Sequence, residues 1–217
     1  MRVIAMVKPK MLVQFDVDST FIQQEAIELL AKRAGVLDEV SQITQSAMNG
    51  DMDFAQSLTA RVELLKGLPV QVIGDVRDEI LLTDGAAELV DQLHKLGHSV
   101  SLVSGGFVQI MEPIVSKLSI KYFRANVLDV QDGHLTGKVS GTIIDRAAKA
   151  HALIEFARLS DVLMENTVAI GDGANDLDMM EAAGLSIAFN AKPIVIQTAD
   201  FAINEPTLRS VAQLLKL

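Results

Sequence analysis

The sequence predicts an α/β protein with a parallel sheet, because short apolar runs alternate with helical patterns along the chain. Four of these runs end in polar or glycine-rich residues, as buried strands do. They lie at residues 11–16, 98–106, 167–173 and 184–189. Helical patterns precede the last three runs, at residues 85–96, 147–159 and 176–183. We therefore expect a buried sheet that is covered by helices.

Residues 21–80 interrupt this alternation directly after the first predicted strand. They contain three or four helical patterns and no convincing strand, with breaks at Gly35, residues 49–50 and residues 67–69. We expect an all-helical insertion at residues 21–80 and a core that consists of residues 1–20 and 81–217.

A small β-hairpin is predicted at residues 126–141. Two β-rich pieces flank the sequence QDGH, and its Asp132-Gly133 pair is a strong signal for a tight turn. We expect this hairpin as a small addition to the core.

Composition limits the class of protein. The chain has 217 residues, enough for one sizeable core, and 49% of them are hydrophobic. With 19 basic and 28 acidic residues its net charge is −9, which argues against a nucleic-acid surface. Cysteine is absent, which excludes disulfides and thiolate metal sites and fits a reducing compartment. No apolar run reaches the ~18 residues of a membrane span, and we expect no secretory signal and a cytoplasmic location.

Carboxylates follow two of the predicted strands. Asp16 and Asp18 are two residues apart at the end of the first strand, and such residues face the same way in an extended chain. Asp172 ends a later strand, and Asp176 begins the next helix. The carboxyl ends of neighbouring parallel strands meet at one edge of a sheet, so these carboxylates are expected to converge. Their repulsion is relieved by a hard cation such as Mg²⁺.

An anion-binding signal accompanies the carboxylates. Ser104 offers a hydroxyl, and Gly105 and Gly106 offer backbone N–H groups before a helix. Lys149, in a later helix, offers a positive charge. Each signal alone has an ordinary structural explanation, as a turn, a helix cap or a solvated lysine. Their joint occurrence at predicted strand ends indicates phosphoryl transfer.

These motifs resemble, in chain order, those of the haloacid-dehalogenase-like superfamily of phosphatases. The matching positions are DVDST at residues 16–20, Ser104 in VSGG, Lys149, and GDGAND at residues 171–176. The aspartate pair is typical of the phosphohydrolase branch. Within that branch the chain is similar to the phosphoserine phosphatases, also through QEAIELLAKRAGV and DGHLTGKVSG. The resemblance implies a Rossmann-like core of this superfamily with residues 21–80 as an inserted helical cap of the C1 type.

The resemblance also implies a role for each motif residue. Asp16 is expected to be the nucleophile that becomes an aspartyl-phosphate, and Asp18 to protonate the leaving group and then activate water. Mg²⁺ is expected on the Asp16 side chain, the Asp18 backbone carbonyl and Asp172, with Asp176 in support. The residues expected to hold the phosphoryl group are Ser104, Gly105, Lys149 and Asn175.

Two charged residues of the insertion lie on apolar helical faces. Arg61 shares a face with Phe54 and Leu58, where an unpaired charge is costly, and Glu25 lies similarly on an earlier helix. The helix pattern alone favours a Glu25–Arg61 pair, or side chains that extend to water. The resemblance implies instead that Glu25 binds a substrate ammonium and Arg61 its carboxylate, with Met48 and Phe54 on the apolar side.

The function expected from this resemblance is Mg²⁺-dependent hydrolysis of O-phospho-L-serine, a small-molecule substrate. Two alternatives within the same fold are phosphoryl transfer to a second hydroxyl compound and hydrolysis of another small phosphomonoester. A third, from a different class, is a phospho-accepting signalling module. Asp18 argues against that module, because a carboxylate placed to activate water makes an acyl-phosphate short-lived. The sequence leaves the oligomeric state open.

Overall fold

The computed structural model describes residues 9–49 and 51–217, apart from the side chains of Met48 and Asn49. The strands of this described part are β1 (Leu12–Phe15), β2 (Ser99–Phe107), β3 (Tyr122–Gln131), β4 (His134–Ser140), β5 (Thr167–Gly171), β6 (Leu185–Phe189) and β7 (Phe201–Ile203). They form one sheet in the order β4-β3-β2-β1-β5-β6-β7. Neighbouring strands are parallel except β3 and β4. The predicted α/β fold with a mostly parallel sheet is confirmed.

Helices connect most of the strands. Those of the described part are α1 (Ala26–Ala34), α2 (Leu37–Asn49), α3 (Phe54–Glu63), α4 (Val72–Glu79), α5 (Ala86–Lys95), α6 (Val108–Lys117), α7 (Arg146–Leu159), α8 (Leu177–Ala182), α9 (Pro193–Ile196) and α10 (Arg209–Leu214). The predictions for α5, α7 and α8 are correct to within one residue at each end. No helix in the described ranges is both long and apolar enough to cross a membrane.

The central strand β1 sets the position of the site. All four of its residues are buried, and Leu12 is aligned with Ser99 of β2 on one side and with Thr167 of β5 on the other. The chain passes from β1 to β2 and later returns to β5 on the opposite side. The crevice above the carboxyl ends of such strands is where open α/β sheets bind ligands.

Helices α1 to α4 lie in the chain between β1 and α5, and residues 21–80 contain no strand of the sheet. The two segments that connect them to the core run side by side. Ile22 is paired with Leu82, and the Thr83 N–H donates to the Phe21 carbonyl at 3.0 Å. The division into a core and a cap with the boundaries given above stays a prediction.

The hairpin forms around the predicted turn. Asp132 and Gly133 have φ values of 51° and 76°, the left-handed conformation of a two-residue hairpin turn. Strand β3 begins at Tyr122, earlier than predicted, because its first residues pair with β2. The hairpin also contacts the helical insertion, since the Leu135 carbonyl accepts a hydrogen bond from the Gly67 N–H at 2.8 Å.

Candidate active site

The turn that follows β1 brings two carboxylates to the crevice. The Asp16 N–H donates to the Ile170 carbonyl at 2.8 Å, which extends the β1–β5 pairing by one residue. The chain then turns sharply, with Ser19 in the left-handed region at a φ of 57°. Asp16 and Asp18 are 3% and 9% exposed and line the same cavity. The expectation that both face one pocket is therefore met.

Three buried carboxylates converge beside this turn. Oxygen atoms of Asp16, Asp172 and Asp176 all lie within 4.8 Å of one another. Asp172 follows β5, and Asp176 ends the short helical turn Ala174–Asp176. The second oxygen of Asp176 accepts hydrogen bonds from the Asp172 and Gly173 N–H groups at 3.1 and 3.2 Å. The ends of β1 and β5 therefore come together as the sequence predicts, with Asp176 fixed by the backbone of the turn. The fourth carboxylate expected there, that of Asp18, is not part of this cluster.

Lys149 of α7 lies beside this carboxylate cluster. Its ammonium is fully buried, forms an ion pair with Asp16, and donates to Asp176 at 2.7 Å. Burial alone would lower the pKa of Lys149, but Asp16 and Asp176 outweigh it and raise that pKa. Lys149 is therefore a permanent cation at the site.

The negative charge of the three clustered carboxylates exceeds the single positive charge of the Lys149 ammonium beside them. Burial raises the pKa of Asp16 and of Asp172 well above the usual value, and the neighbouring carboxylates raise both further. Three carboxylates opposed by one ammonium leave a negative site whose donors are all oxygen atoms. This donor set fits a hard divalent cation, which prefers oxygen ligands.

Ser104 connects Asp18 to the glycine-rich part of β2. Its hydroxyl donates to one Asp18 oxygen at 2.9 Å and accepts from the Gly106 N–H at 2.7 Å. The other Asp18 oxygen accepts from the Ala26 N–H, at the start of α1, at 2.7 Å. Burial raises the pKa of Asp18, although these hydrogen bonds oppose the shift. A raised pKa favours the protonated form of this carboxyl group, the form that acts as a general acid.

The two glycines after Ser104 allow close approach of other groups. A Cβ atom on Gly106 would lie 2.7 Å from an Asp18 oxygen, and one on Gly105 would overlap the Phe54 ring of the insertion. Neither glycine has a positive φ, so the requirement is for space rather than for backbone conformation. The insertion therefore closes directly on the glycine-rich segment.

Glu25 and Arg61 line the same cavity from the side of the insertion. Glu25 accepts from the Ser19 hydroxyl at 2.7 Å, and burial followed by the Asp18 charge raises its pKa to about 7. Arg61 is 5% exposed, and burial lowers its pKa. Within the described residues no carboxylate oxygen lies within 4.0 Å of the guanidinium nitrogens. Arg61 thus neither pairs with Glu25 nor extends to water, contrary to what the helix pattern alone favours.

Phe54, Asn175 and Met48 are the other residues that the sequence predicts for the site. Phe54 and Asn175 line the cavity, and the Asn175 Oδ1 atom is buried with no protein partner in the described part of the chain. The side chain of Met48 lies outside the described residues. Thr44 also lines the cavity and was not predicted, because its helix pattern contains no signal for a site.

Comparison with known proteins agrees with the resemblance found in the sequence. A phosphoserine phosphatase from Streptomyces coelicolor is 52% identical over 204 residues, which are 94% of this chain and 50% of that protein. The chain therefore spans about half the length of this relative. A solved substrate-bound phosphoserine phosphatase complex has a TM-score of 0.93 and 43% identity, covering 95% of this chain and 99% of its own. A phospho-aspartyl intermediate analogue of phosphoserine phosphatase has a TM-score of 0.92 at 43% identity, with coverage of 95% and 99%.

A family model described as haloacid dehalogenase-like hydrolase matches residues 13–181. This range contains every motif from Asp16 to Asp176. The resemblance seen in the sequence is confirmed, and the chain belongs to the haloacid dehalogenase-like hydrolase family.

Proposed function

We propose that this chain hydrolyses O-phospho-L-serine to L-serine and phosphate through an aspartyl-phosphate, with Mg²⁺ as its metal ion. One observation carries this proposal. A single cavity has Asp16 and Asp18 at its core end and Glu25 and Arg61, unpaired with each other, at its insertion end. A phosphoryl group that is linked to an amino acid matches both ends. The names of the relatives support the same assignment.

In the first half-reaction, a carboxylate oxygen of Asp16 attacks the phosphorus atom and the bond from phosphorus to the serine oxygen breaks. Asp18 donates its proton to the departing serine oxygen. Its raised pKa supports this role, because burial favours the protonated form that donates this proton. The products of this step are L-serine and phosphorylated Asp16.

In the second half-reaction, water attacks the phosphorus atom of the aspartyl-phosphate. Asp18, now a carboxylate, accepts a proton from that water, and the bond from phosphorus to the Asp16 oxygen breaks. Hydrogen bonds from Ser104 and the Ala26 N–H hold the Asp18 carboxylate in place for this step. Phosphate leaves, and both aspartates return to their starting states.

The metal ion would be held by the side chains of Asp16 and Asp172 and the backbone carbonyl of Asp18, with Asp176 in support. Mg²⁺ would neutralise charge on the phosphoryl oxygens. The pKa values of Asp16 and Asp172 support this assignment, since both are raised by burial and by neighbouring carboxylates, a repulsion that a cation would offset.

The phosphoryl group would be held by donors around the same cavity. Lys149 directs two of its three N–H donors to Asp16 and Asp176, which leaves one for a phosphoryl oxygen. Asn175 would contribute a side-chain donor, and Gly105 a backbone N–H. The Ser104 hydroxyl has a single proton, so it would donate to the phosphoryl group while Asp18 is protonated and return to the Asp18 carboxylate in the second half-reaction. These donors neutralise and orient the group, which is most of what phosphoryl transfer requires.

The amino acid would be held by the insertion, with residues 21–80 acting as a cap. Glu25 would bind the ammonium and Arg61 the carboxylate, while Phe54 would cover the apolar side. The Phe54 ring already packs against Gly105, so a closed cap would exclude water until the alkoxide leaves.

The test is phosphate release from O-phospho-L-serine, beside phosphothreonine, phosphoethanolamine and an aryl phosphate, with Mg²⁺ and with EDTA. We expect Mg²⁺-dependent activity with a strong preference for phosphoserine. Arg61→Ala should remove most of that preference and leave aryl phosphate hydrolysis largely intact. Arg209→Ala is the control, because Arg209 is exposed and paired with Asp84 and Glu88 at the surface.

Other outcomes would identify the alternatives. Mg²⁺-dependent activity without preference would indicate a phosphatase for a different phosphomonoester. Transfer to an added hydroxyl compound in place of phosphate release would indicate a phosphotransferase. A phosphoenzyme that persists for many minutes would indicate a signalling module. A cytoplasmic location stays a prediction.

A further inference from the structure

The guanidinium of Arg61 has few protein partners for a group so deeply buried. Its Nε donates to the Ser57 carbonyl at 3.2 Å, and its Nη1 donates to the Thr44 hydroxyl at 3.1 Å. A guanidinium has five N–H donors, so most of its donor capacity remains for a ligand in the cavity. Thr44 supplies the only side-chain acceptor bonded to Arg61 in the described part of the chain.

The Thr44 hydroxyl is itself held in one orientation. It is 4% exposed, and it donates its proton to the Val40 carbonyl, one turn earlier in α2, at 2.9 Å. A hydroxyl whose proton is committed in this way presents its lone pairs in a fixed direction. Arg61 occupies that direction from α3, so the bond joins two helices of the insertion.

We propose that Thr44 is a positioning residue that orients the Arg61 guanidinium for the carboxylate of the substrate. This inference rests on the proposed function, in which Arg61 binds that carboxylate. The guanidinium is planar, and contacts at Nε and Nη1 fix its plane before the ligand arrives. A group that is already oriented loses less rotational freedom on binding, which increases affinity. Thr44 and Arg61 both line the cavity, so the fixed plane lies at the binding site.

A purely structural role for Thr44 is the competing explanation. Threonine side chains in helices commonly bond the carbonyl four residues earlier, with no link to function. Thr59 of α3 does this, since its hydroxyl donates to the Ala55 carbonyl at 2.8 Å. Thr59 is exposed and has no hydrogen bond to Arg61. Thr59→Val therefore removes the same kind of hydrogen bond without touching the guanidinium, and it is the matched control.

The experiment compares steady-state kinetics of Thr44→Val, Thr44→Ser and Thr59→Val. The substrates are O-phospho-L-serine and phosphoethanolamine, which keeps the ammonium but lacks the carboxylate. Thr44→Val should raise KM for phosphoserine by about 10-fold, the effect of one hydrogen bond to a charged group, with kcat unchanged. KM for phosphoethanolamine should stay the same. Thr44→Ser should restore the low KM, and Thr59→Val should leave every kinetic constant at the wild-type value.

Several results would overturn the role of Thr44. These are an equal rise of KM for both substrates, no rise for phosphoserine, a similar rise in Thr59→Val, or no recovery in Thr44→Ser. Thr44→Ala removes the same hydroxyl and serves if the valine variant fails to fold. A wild-type protein without any preference for phosphoserine would refute the proposed function itself. The two failures are therefore distinguishable.

Discussion

Gly105 provides a quantitative test of whether the insertion closes on the phosphoryl site. A Cβ atom built on Gly105 overlaps the tip of the Phe54 ring, and it lies 3.0 Å from Cε2 and 3.4 Å from Cε1. Ordinary van der Waals contacts of a Cβ atom are longer than the first of these distances. Gly105→Ala keeps the backbone N–H that is proposed to bind phosphate, and alanine fits the backbone there because φ is not positive. The substitution therefore acts on the packing of the insertion.

The expected loss of kcat/KM in Gly105→Ala follows from the cost of adding an atom where Gly105 and Phe54 already pack closely. An extra carbon in a packed region costs about 1–3 kcal/mol. If that energy opposes closure over the bound substrate, kcat/KM for phosphoserine falls roughly 5- to 150-fold. Phe54→Leu removes the three ring atoms nearest to the added Cβ. In the Phe54→Leu background, Gly105→Ala should therefore cost much less than in the wild type.

The assay is a double-mutant cycle on kcat/KM for phosphoserine, with thermal unfolding of each variant. Gly74→Ala is the matched control, since Gly74 lies in α4 with no atom within 4 Å of the added Cβ and no positive φ. It should leave the kinetics unchanged and stabilise the protein by about 0.5–1 kcal/mol. Equal losses from Gly105→Ala in both backgrounds would refute the packing argument and place the effect in the glycine-rich segment itself.

Three further predictions concern the charges of the site. Asp16→Asn should abolish turnover while thermal unfolding stays cooperative, and steady-state hydrolysis in a clean preparation of this variant would contradict the nucleophile assignment. Burial raises the pKa of Glu25 to about 7, so the ionised side chain opposes folding above that pH. Glu25→Gln should therefore stabilise the free protein at pH 8 by about 1–2 kcal/mol, a figure that allows for partial solvent screening, and by little at pH 5. Equal gains in stability at both pH values would refute the charge explanation. Mg²⁺ should raise the unfolding temperature of the wild type, and Asp172→Asn should reduce that rise; an unchanged rise would exclude Asp172 as a ligand.

The sequence predicts the core of the site well, because strand ends carry a local signal. Asp16, Ser104 and Asp172 each lie in or directly after an apolar run, and the parallel sheet brings those runs together. The same logic locates Asp176, which directly precedes α8, the first α-helix after β5. Such residues can be predicted because the topology of a parallel sheet converts positions along the chain into neighbours in space.

Contacts between segments that are distant in the sequence leave no local pattern like the one at the strand ends. The Thr44–Arg61 hydrogen bond joins α2 and α3, and the Ala26 N–H reaches Asp18 from the start of α1. Nothing in the helical periodicity of α2 distinguishes Thr44 from other small polar residues. Strand β7 (Phe201–Ile203) is similar, since three residues are too few for an alternating pattern to be recognised. These features depend on tertiary packing that local patterns do not encode.

The unpaired charges of the cavity explain why the helix pattern misleads at Glu25 and Arg61. A buried arginine without a carboxylate partner costs free energy, and burial lowers the pKa of Arg61 accordingly. Burial likewise raises the pKa values of Glu25, Asp16 and Asp172. A sequence selected for stability alone would pair or remove these groups, as the helix pattern favours. In the described part of the chain, Lys149 alone forms ion pairs with the carboxylate cluster, and Arg61 has no carboxylate within 4.0 Å. Keeping these charges makes sense if a cation, a phosphoryl group and an amino acid balance them on binding. The free energy that burial of these charges costs in folding then becomes available as binding free energy, so ligands should stabilise this protein strongly.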